Sequence, residues 1–237
     1  MHLRLCGTKS DIDVNKNIYW YTCGPTVYDH SHIGHARTYV TDDILRRALI
    51  YMGYNVFSVM NITDIDDKII RKANDSNTDF KQISQKYTEL FFNDMATLGI
   101  RNHDIITFVS DYVDDIIKFV VKIVSNKFGY ESNGSVYLDM NKYYSDGHID
   151  YLFDAITCSA SIKSHINKHI LNEKKDMRDF AVWKASKPGE PFWPSPFGNG
   201  RPAWHIECSV MIDDTLEIFK ESVAPDIYSV IHTGGED

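Results

Sequence analysis

Cysteine is scarce in this chain: 237 residues hold four, Cys6, Cys23, Cys158 and Cys208, widely separated and with no CxxC pair. That spacing excludes a dense disulfide framework. In a cytosolic chain such thiols are reduced and buried, or occasionally metal ligands. Long apolar runs are also missing, and none approaches the roughly 18 residues that would cross a bilayer. The N-terminus, Met1 to Cys6, runs into the polar stretch Thr8 to Asn17, so there is no secretory apolar region. The expected location is the cytoplasm, with no membrane partner. An excess of basic residues is lacking too. Lys and Arg number 25 against 33 Asp and Glu, a formal net charge of -8. This argues against a surface that grips a nucleic-acid backbone everywhere, and leaves room for a local basic face. There is no internal repeat and no low-complexity block.

What is present is enough for a core. Hydrophobic residues make up 43% and aromatics 13% of a chain long enough for one large domain, or one domain with an insertion. Ile18 to Thr22 is a β-branched and aromatic run that predicts a buried strand, punctuated by Gly24 and Pro25. From His32 to Met52, Ile33, Ala36, Val40, Ile44, Leu45, Ala48 and Leu49 recur at helical spacing, with Gly53 where a helix ends. Asn55 to Met60 predicts a second strand. Strand, glycine turn, helix and strand form a βαβ unit, the start of a parallel sheet. Phe80 to Leu98 and Asp111 to Phe128 predict helices, and Asn133-Gly134 between two β-rich runs predicts a hairpin. The stretch from Asn141 to Asp176 is polar and weakly periodic, as an insertion would be. Lys187 to Pro202 carries five prolines and predicts an irregular ordered loop that buries Phe192, Trp193 and Phe197. A helix opens near Trp204, and Ile227 to Ile231 predicts a last strand.

The chemistry concentrates at the predicted strand ends. His32-Ile33-Gly34-His35 sits at the start of a helix that follows a strand, where unpaired N–H groups and the helix dipole suit a phosphate. Two imidazoles add donors, and Gly34 lets a nucleotide approach closely. Cys23 ends the first strand, the side of a parallel sheet on which ligands bind. Alone it fits an inert buried thiol equally well; Cys208, flanked by His205 and Glu207, could contribute a second thiolate to one tetrahedral zinc site, for which two ligands are too few. By chemistry alone, His232 and Glu236 are candidates for the remaining ligands. Asp64, Asp66 and Asp67 fit no calcium loop and read as a capped helix start, while Thr63 is better placed to face a ligand. Thr233 to Asp237 is a second glycine-rich strand end, and an acid there suits a ribose diol.

Together these blocks resemble the cysteinyl-tRNA synthetases, a family of class I aminoacyl-tRNA synthetases. The resemblance runs along most of the chain: Tyr21 to Asp29, the His32 to His35 tetrad, Asn61 to Lys68, Phe180 to Lys184, Trp193 to Pro196, Gly200 to Pro202, and Trp204 to Ser209. It implies an α/β fold, a Rossmann-like parallel-sheet catalytic domain. Its first part would cover 1–110, a connective-peptide insertion 111–177 and its second part 178–237. It implies activation of L-cysteine by ATP, with Mg2+, to cysteinyl-adenylate, then transfer to tRNA(Cys). His32 and His35 would be catalytic and would bind ATP together with Pro25, Thr26, Tyr28, Gly34, Gly234, Gly235 and Asp237, the last as the ribose acid. Cys23, Gly24, Thr63, Trp204 and His232 would surround the cysteine. One zinc ion, held by Cys23 and Cys208, would recognise its thiolate.

The family's other zinc ligands lie in a His-His-x-Asn-Glu segment, which this sequence lacks along with the KMSKS loop and the anticodon-binding helices. His232 therefore matches a pocket residue rather than a ligand. The expectation is a monomeric piece that ends before its site is complete, binds zinc weakly or not at all, and does not aminoacylate. Two other readings stand beside it: an ATP-dependent ligase that joins cysteine to an amino sugar, and a non-catalytic thiol- or nucleotide-binding module.

Overall fold

The computed structural model describes residues 2–4, 11–146, 173–203, 206–224 and 227–234. The chain divides into two units, Met1–Tyr112 with Cys208–Asp237, and Val113–Glu207. The first unit opens with strands β1 (His2–Arg4), β2 (Asp11–Asp13) and β3 (Asn17–Cys23). Helix α1 (Ile33–Tyr51), strand β4 (Asn55–Ile62), helices α2 (Asp67–Ser76) and α3 (Phe80–Thr97), strand β5 (Ile105–Phe108) and a 3-10 turn at Val109–Tyr112 follow. The second unit holds α4 (Val113–Ser125), β6 (Gly129–Ser132), β7 (Ser135–Leu138), α5 (Met140–Ser145), β8 (Phe180–Ala185), β9 (Trp193–Ser195) and β10 (Gly198–Pro202). Helix α6 (Ile206–Ser222) carries the chain back to the first unit, which closes with β11 (Ser229–Gly234).

The first unit is built on a parallel sheet of order β11-β3-β4-β5. Because side chains alternate along a strand, β3 sends two sets of residues to two different helices. Tyr19 and Cys23 reach α6: the Tyr19 hydroxyl lies 2.6 Å from Thr215 Oγ1 and its ring packs edge-on to Phe219. Cys208, Met211, Thr215 and Phe219 recur at helical spacing and form the buried side of α6. Trp20 and Thr22 point the other way and bond to Asp42 of α1. On that side Tyr39, Met60 and Ile62 join Ile69, Ile83 and Phe91 of α2 and α3 in one apolar cluster. Full burial of each such side chain contributes about 1.5–3 kcal/mol.

Helix α1 has the expected span but not the expected orientation. Ile33, Ile44 and Leu45 are exposed, and of the seven apolar positions at helical spacing only Leu49 is buried. The buried residues are Tyr39, Asp42, Asp43, Arg46 and Leu49, also at helical spacing. The inward face is thus largely ionic, which apolar periodicity does not register. Gly53, at φ 82°, ends the helix as expected. Asp66 caps α2 by accepting from the Lys68 amide at 2.7 Å. Asp64 does not cap; it accepts from the Ser110 amide and hydroxyl, at 3.0 and 2.5 Å.

The second unit is an antiparallel sheet of order β6-β7-β8-β10-β9. Asn133 and Gly134, at φ 51° and 76°, make the expected tight turn between β6 and β7. The proline-rich stretch is irregular over 187–192, as expected, but continues as a regular hairpin, β9 and β10; Phe192 is exposed rather than buried, and Trp193 and Phe197 are half-buried. Its prolines Pro194 and Pro202 are accommodated in three- and five-residue strands, one of them at the sheet edge. Asp179 is buried and accepts from Tyr130 Oη, the Met140 amide and the Asp176 amide at 2.6, 2.9 and 3.0 Å, so it joins the two sides of the polar stretch. Residues 147–172 of that stretch lie outside the described residues.

Candidate active site

The site gathers at the carboxyl ends of β3, β4 and β11. The chain leaves β3 through Gly24, whose amide donates to Asn61 Oδ1 at 3.1 Å. A Cβ here would stand 1.6 Å from the Asn61 carbonyl oxygen, so only glycine fits. Gly234 of β11 has φ 96°, and a Cβ there would come within 2.7 Å of the Cys23 carbonyl oxygen. Two glycines therefore let three strand ends close around Cys23. Beyond Gly24 the chain runs beside β4: Val27 donates to the Thr63 carbonyl at 3.2 Å, and the Thr63 amide donates to the Pro25 carbonyl at 3.1 Å. This brings Pro25, Thr26 and Thr63 together. Thr63 is buried, and its hydroxyl accepts from Asn61 Nδ2 at 3.3 Å.

The histidines of the tetrad cap α1 reciprocally. His32 Nδ1 accepts from the Gly34 amide at 3.1 Å, and the His32 amide donates to His35 Nδ1 at 3.2 Å. The two rings stack at 4.0 Å. With both Nδ1 atoms used as acceptors, each neutral imidazole carries its proton on Nε2. A phosphate at this helix start would meet the exposed His32 ring in addition to the backbone dipole, while His35 Nε2 is buried beneath it. The cap is also anchored further along the helix, where the Tyr39 hydroxyl donates to the Cys23 carbonyl at 3.3 Å. The preceding loop is held by cations of α2 and by α3. Lys68 Nζ lies 5.2 Å from the centre of the Tyr28 ring, Lys72 pairs with Asp29 at 2.9 Å, and His30 packs on Tyr87. The Lys72 contact, with the His30 amide, holds the Asp29 carboxyl below its usual range.

On the α6 side of the sheet, Cys23 Sγ and Cys208 Sγ are 3.2 Å apart. Asn61 Oδ1 lies 3.8 Å from the Cys208 sulfur. Tyr21 sits on the same side, and burial, then the neighbouring Cys208 and Cys23, pushes its hydroxyl far above the ordinary phenol range. The His232 ring meets the Tyr21 ring edge-on at 5.3 Å. The thiol pair fits part of a zinc site. Zinc–thiolate bonds of about 2.3 Å at a tetrahedral angle put two sulfurs roughly 3.8 Å apart, so a modest opening would admit the ion. Among the described residues, no group of three or more His, Cys, Asp or Glu converges to complete such a site. Trp204, Gly235 and Asp237 lie outside the described residues, as do Glu236, Cys6 and Cys158.

One group was not legible as part of this site. Asp42 accepts from Trp20 Nε1 at 2.8 Å, from Thr22 Oγ1 at 3.1 Å and from Thr233 Oγ1 at 2.7 Å, and pairs with Arg46 at 3.0 Å. Arg46 in turn reaches Ser58 Oγ and the carbonyls of Arg101 and Asn102. Burial pulls its guanidinium below the usual range, against the pull of Asp42 and Asp43. The only hint in the sequence is an acid and an arginine four residues apart inside an otherwise apolar-looking helix.

Residues 9–237 match the model of the catalytic domain of class I (C) tRNA synthetases. The chain is 50% identical over 197 residues to the cysteine–tRNA ligase of Encephalitozoon cuniculi, covering 83% of this chain and 40% of that protein. It is 45% identical over 228 residues to the cytoplasmic cysteine–tRNA ligase of Dictyostelium discoideum, covering 94% and 33%. Among solved structures, methionyl-tRNA synthetase of Mycobacterium tuberculosis in complex with methionyl-adenylate superposes with a TM-score of 0.64 at 11% identity, covering 93% of this chain and 51% of that one. That likeness speaks for the Rossmann-like fold alone. The chain spans less than half the length of these two ligases. With the matched residues running through the parallel sheet, the tetrad and both thiols, the chain belongs to the class I (C) tRNA synthetase catalytic-domain family.

Proposed function

We propose that this chain is the cysteine-activating part of a cysteine–tRNA ligase. Cysteine carboxylate attacks the α-phosphorus of ATP, pyrophosphate leaves, and the cysteinyl group then passes to the terminal ribose of tRNA(Cys). The observation that carries this reading is the thiol pair, Cys23 and Cys208, brought to 3.2 Å at the carboxyl end of the parallel strand that leads into the histidine-capped helix. His32 and His35 bind the ATP phosphates and stabilise charge developing on the departing pyrophosphate. Pro25, Thr26, Tyr28 and Gly34 line that approach, and Gly234 and Gly235 allow the nucleotide to lie close to β11, with Asp237 on the ribose. Gly24, Thr63, Trp204 and His232 frame the cysteine.

Cys23 and Cys208 are the residues of this chain that would hold a zinc ion. Bound there, zinc supplies a soft Lewis acid that favours a thiolate far more than the hydroxyl of serine. Residues 111–177 are read as the connective-peptide insertion of this fold, nearly all of them within the unit Val113–Glu207. No helix among the described residues is long and apolar enough to cross a membrane. We read the protein as a monomer of the cytoplasm.

The test is ATP–pyrophosphate exchange by the protein at its natural length, with each amino acid in turn. Exchange driven by cysteine is the expected result. Exchange with another amino acid and not with cysteine overturns the assignment.

A further inference from the structure

Helix α1 is docked on the sheet by a carboxylate where leucines would serve. Asp42 is 5% exposed and Arg46 2% exposed, and a buried ion pair of this kind is often no more stabilising than apolar residues of the same size. What it adds is direction. Apolar packing tolerates small slides of a helix along a sheet, whereas hydrogen bonds of 2.7 to 3.1 Å from three donors fix its register.

The donors come from two different strands, and two of them adjoin residues of the proposed site. Thr22 immediately precedes Cys23, and Thr233 lies between His232 and Gly234. Thr22 and Thr233 are partners in the β11–β3 register, and their hydroxyls lie 3.4 Å apart over Asp42. Asp42 itself stands two helical turns beyond His35, on a continuous helix that transmits any displacement along its axis.

From this geometry, and resting on the reading of the chain as a cysteine-activating enzyme, we infer that Asp42 is a positioning residue for adenylate formation. It holds the phosphate-binding start of α1 in register with the β3 and β11 ends, where cysteine and ribose would lie. It touches neither substrate. It acts through Thr22, Thr233 and the helix, and so bears on the alignment of the reacting atoms more than on the binding of either substrate.

The test uses Thr233→Val and Thr233→Ser in the natural-length protein, with Asp42→Asn beside them. Valine keeps the shape and suits a strand, so the melting temperature should stay within about 3 °C of the parent. If Asp42 positions the helix, T233V lowers kcat for cysteine-dependent exchange by about tenfold, and D42N by about 100-fold, as misplacement of about 1 Å does elsewhere. The KM values for ATP and cysteine should move less than about threefold, because binding contacts are intact. T233S, which restores the hydroxyl, should recover most of the loss. T233V with parental kcat overturns the inference, as does a fall in kcat matched by T233S or no larger than the loss of folded protein. D42N leaves Arg46 with Asp43 alone and risks misfolding, so T233V decides. If the unsubstituted protein shows no cysteine-dependent exchange, the functional reading itself falls, and this inference with it.

Discussion

A methyl group on Gly24 would stand 1.6 Å from the Asn61 carbonyl oxygen, a backbone atom that cannot swing away as a side-chain end would. Gly24→Ala should therefore destabilise the protein by about 2–3 kcal/mol, the cost of forced overpacking, measured as a lower urea midpoint at unchanged slope. His35→Ala removes the acceptor of the His32 amide and the ring stacked on His32. Loss of a cap of this kind costs about 1 kcal/mol, while loss of the phosphate contact proposed for this ring should lower kcat for exchange by about 10²- to 10³-fold. The disproportion between the two effects is the measurement. His103 sets a pH dependence. Burial first, then the Arg46 charge, lowers its pKa to about 3, and its Nδ1 has no hydrogen-bond partner among the described residues. The folded form keeps this imidazole neutral while the unfolded chain protonates it near pH 6.5, so its contribution is complete above pH 6.5 and is lost as the pH falls toward 3. Denaturation midpoints measured from pH 7 to pH 4 should decline less steeply in His103→Gln. The tetrad stood out because two imidazoles around a glycine at a helix start carry chemistry by themselves, whereas Cys23 and Cys208, 185 residues apart, were paired only through the family resemblance. The burial of His103 is a tertiary fact, and no local pattern announces it.

Helix α1 shows how an element is found while its orientation is missed. Seven apolar residues at helical spacing marked the helix, yet Ile33, Ile44 and Leu45 face solvent, and the sheet receives Asp42, Asp43 and Arg46. Periodicity reports that a segment has two faces. It does not report that the buried one is charged when each charge finds a partner inside. Arg46→Met should expose that dependence. It leaves Asp42 and Asp43 buried beside an apolar chain, and a broken buried pair costs about 3–5 kcal/mol; thermal unfolding read against the parent checks it. Helices α3 and α4 and the β6–β7 hairpin were legible because apolar stripes and an Asn-Gly turn agree with the elements formed. Strand β5 has four residues, too few for a pattern, and exists because β4 offers it a paired edge.

At the scale of the molecule, the sheet is assembled from strands far apart in sequence: β11 pairs in parallel with β3, more than 200 residues earlier. The βαβ start was legible locally, but the place of β11 beside β3 was not, since it depends on α6 covering the far face. That pairing sets His232 against Tyr21, Thr233 against Thr22 and Gly234 against Cys23, and so sorts the site into a thiol side and an Asp42 side. On the proposed function, the thiol side selects the amino acid. ATP–pyrophosphate exchange with cysteine and with serine, in the natural-length protein and in its Cys208→Ala variant, measures that selection. In the parent, kcat/KM should favour cysteine by about 10⁴-fold or more, a discrimination expected of a site built for one polar group, and in the variant that ratio should collapse by at least about 100-fold. A variant that discriminates as well as the parent, or a parent that activates serine as readily as cysteine, rules out selection by the thiol side.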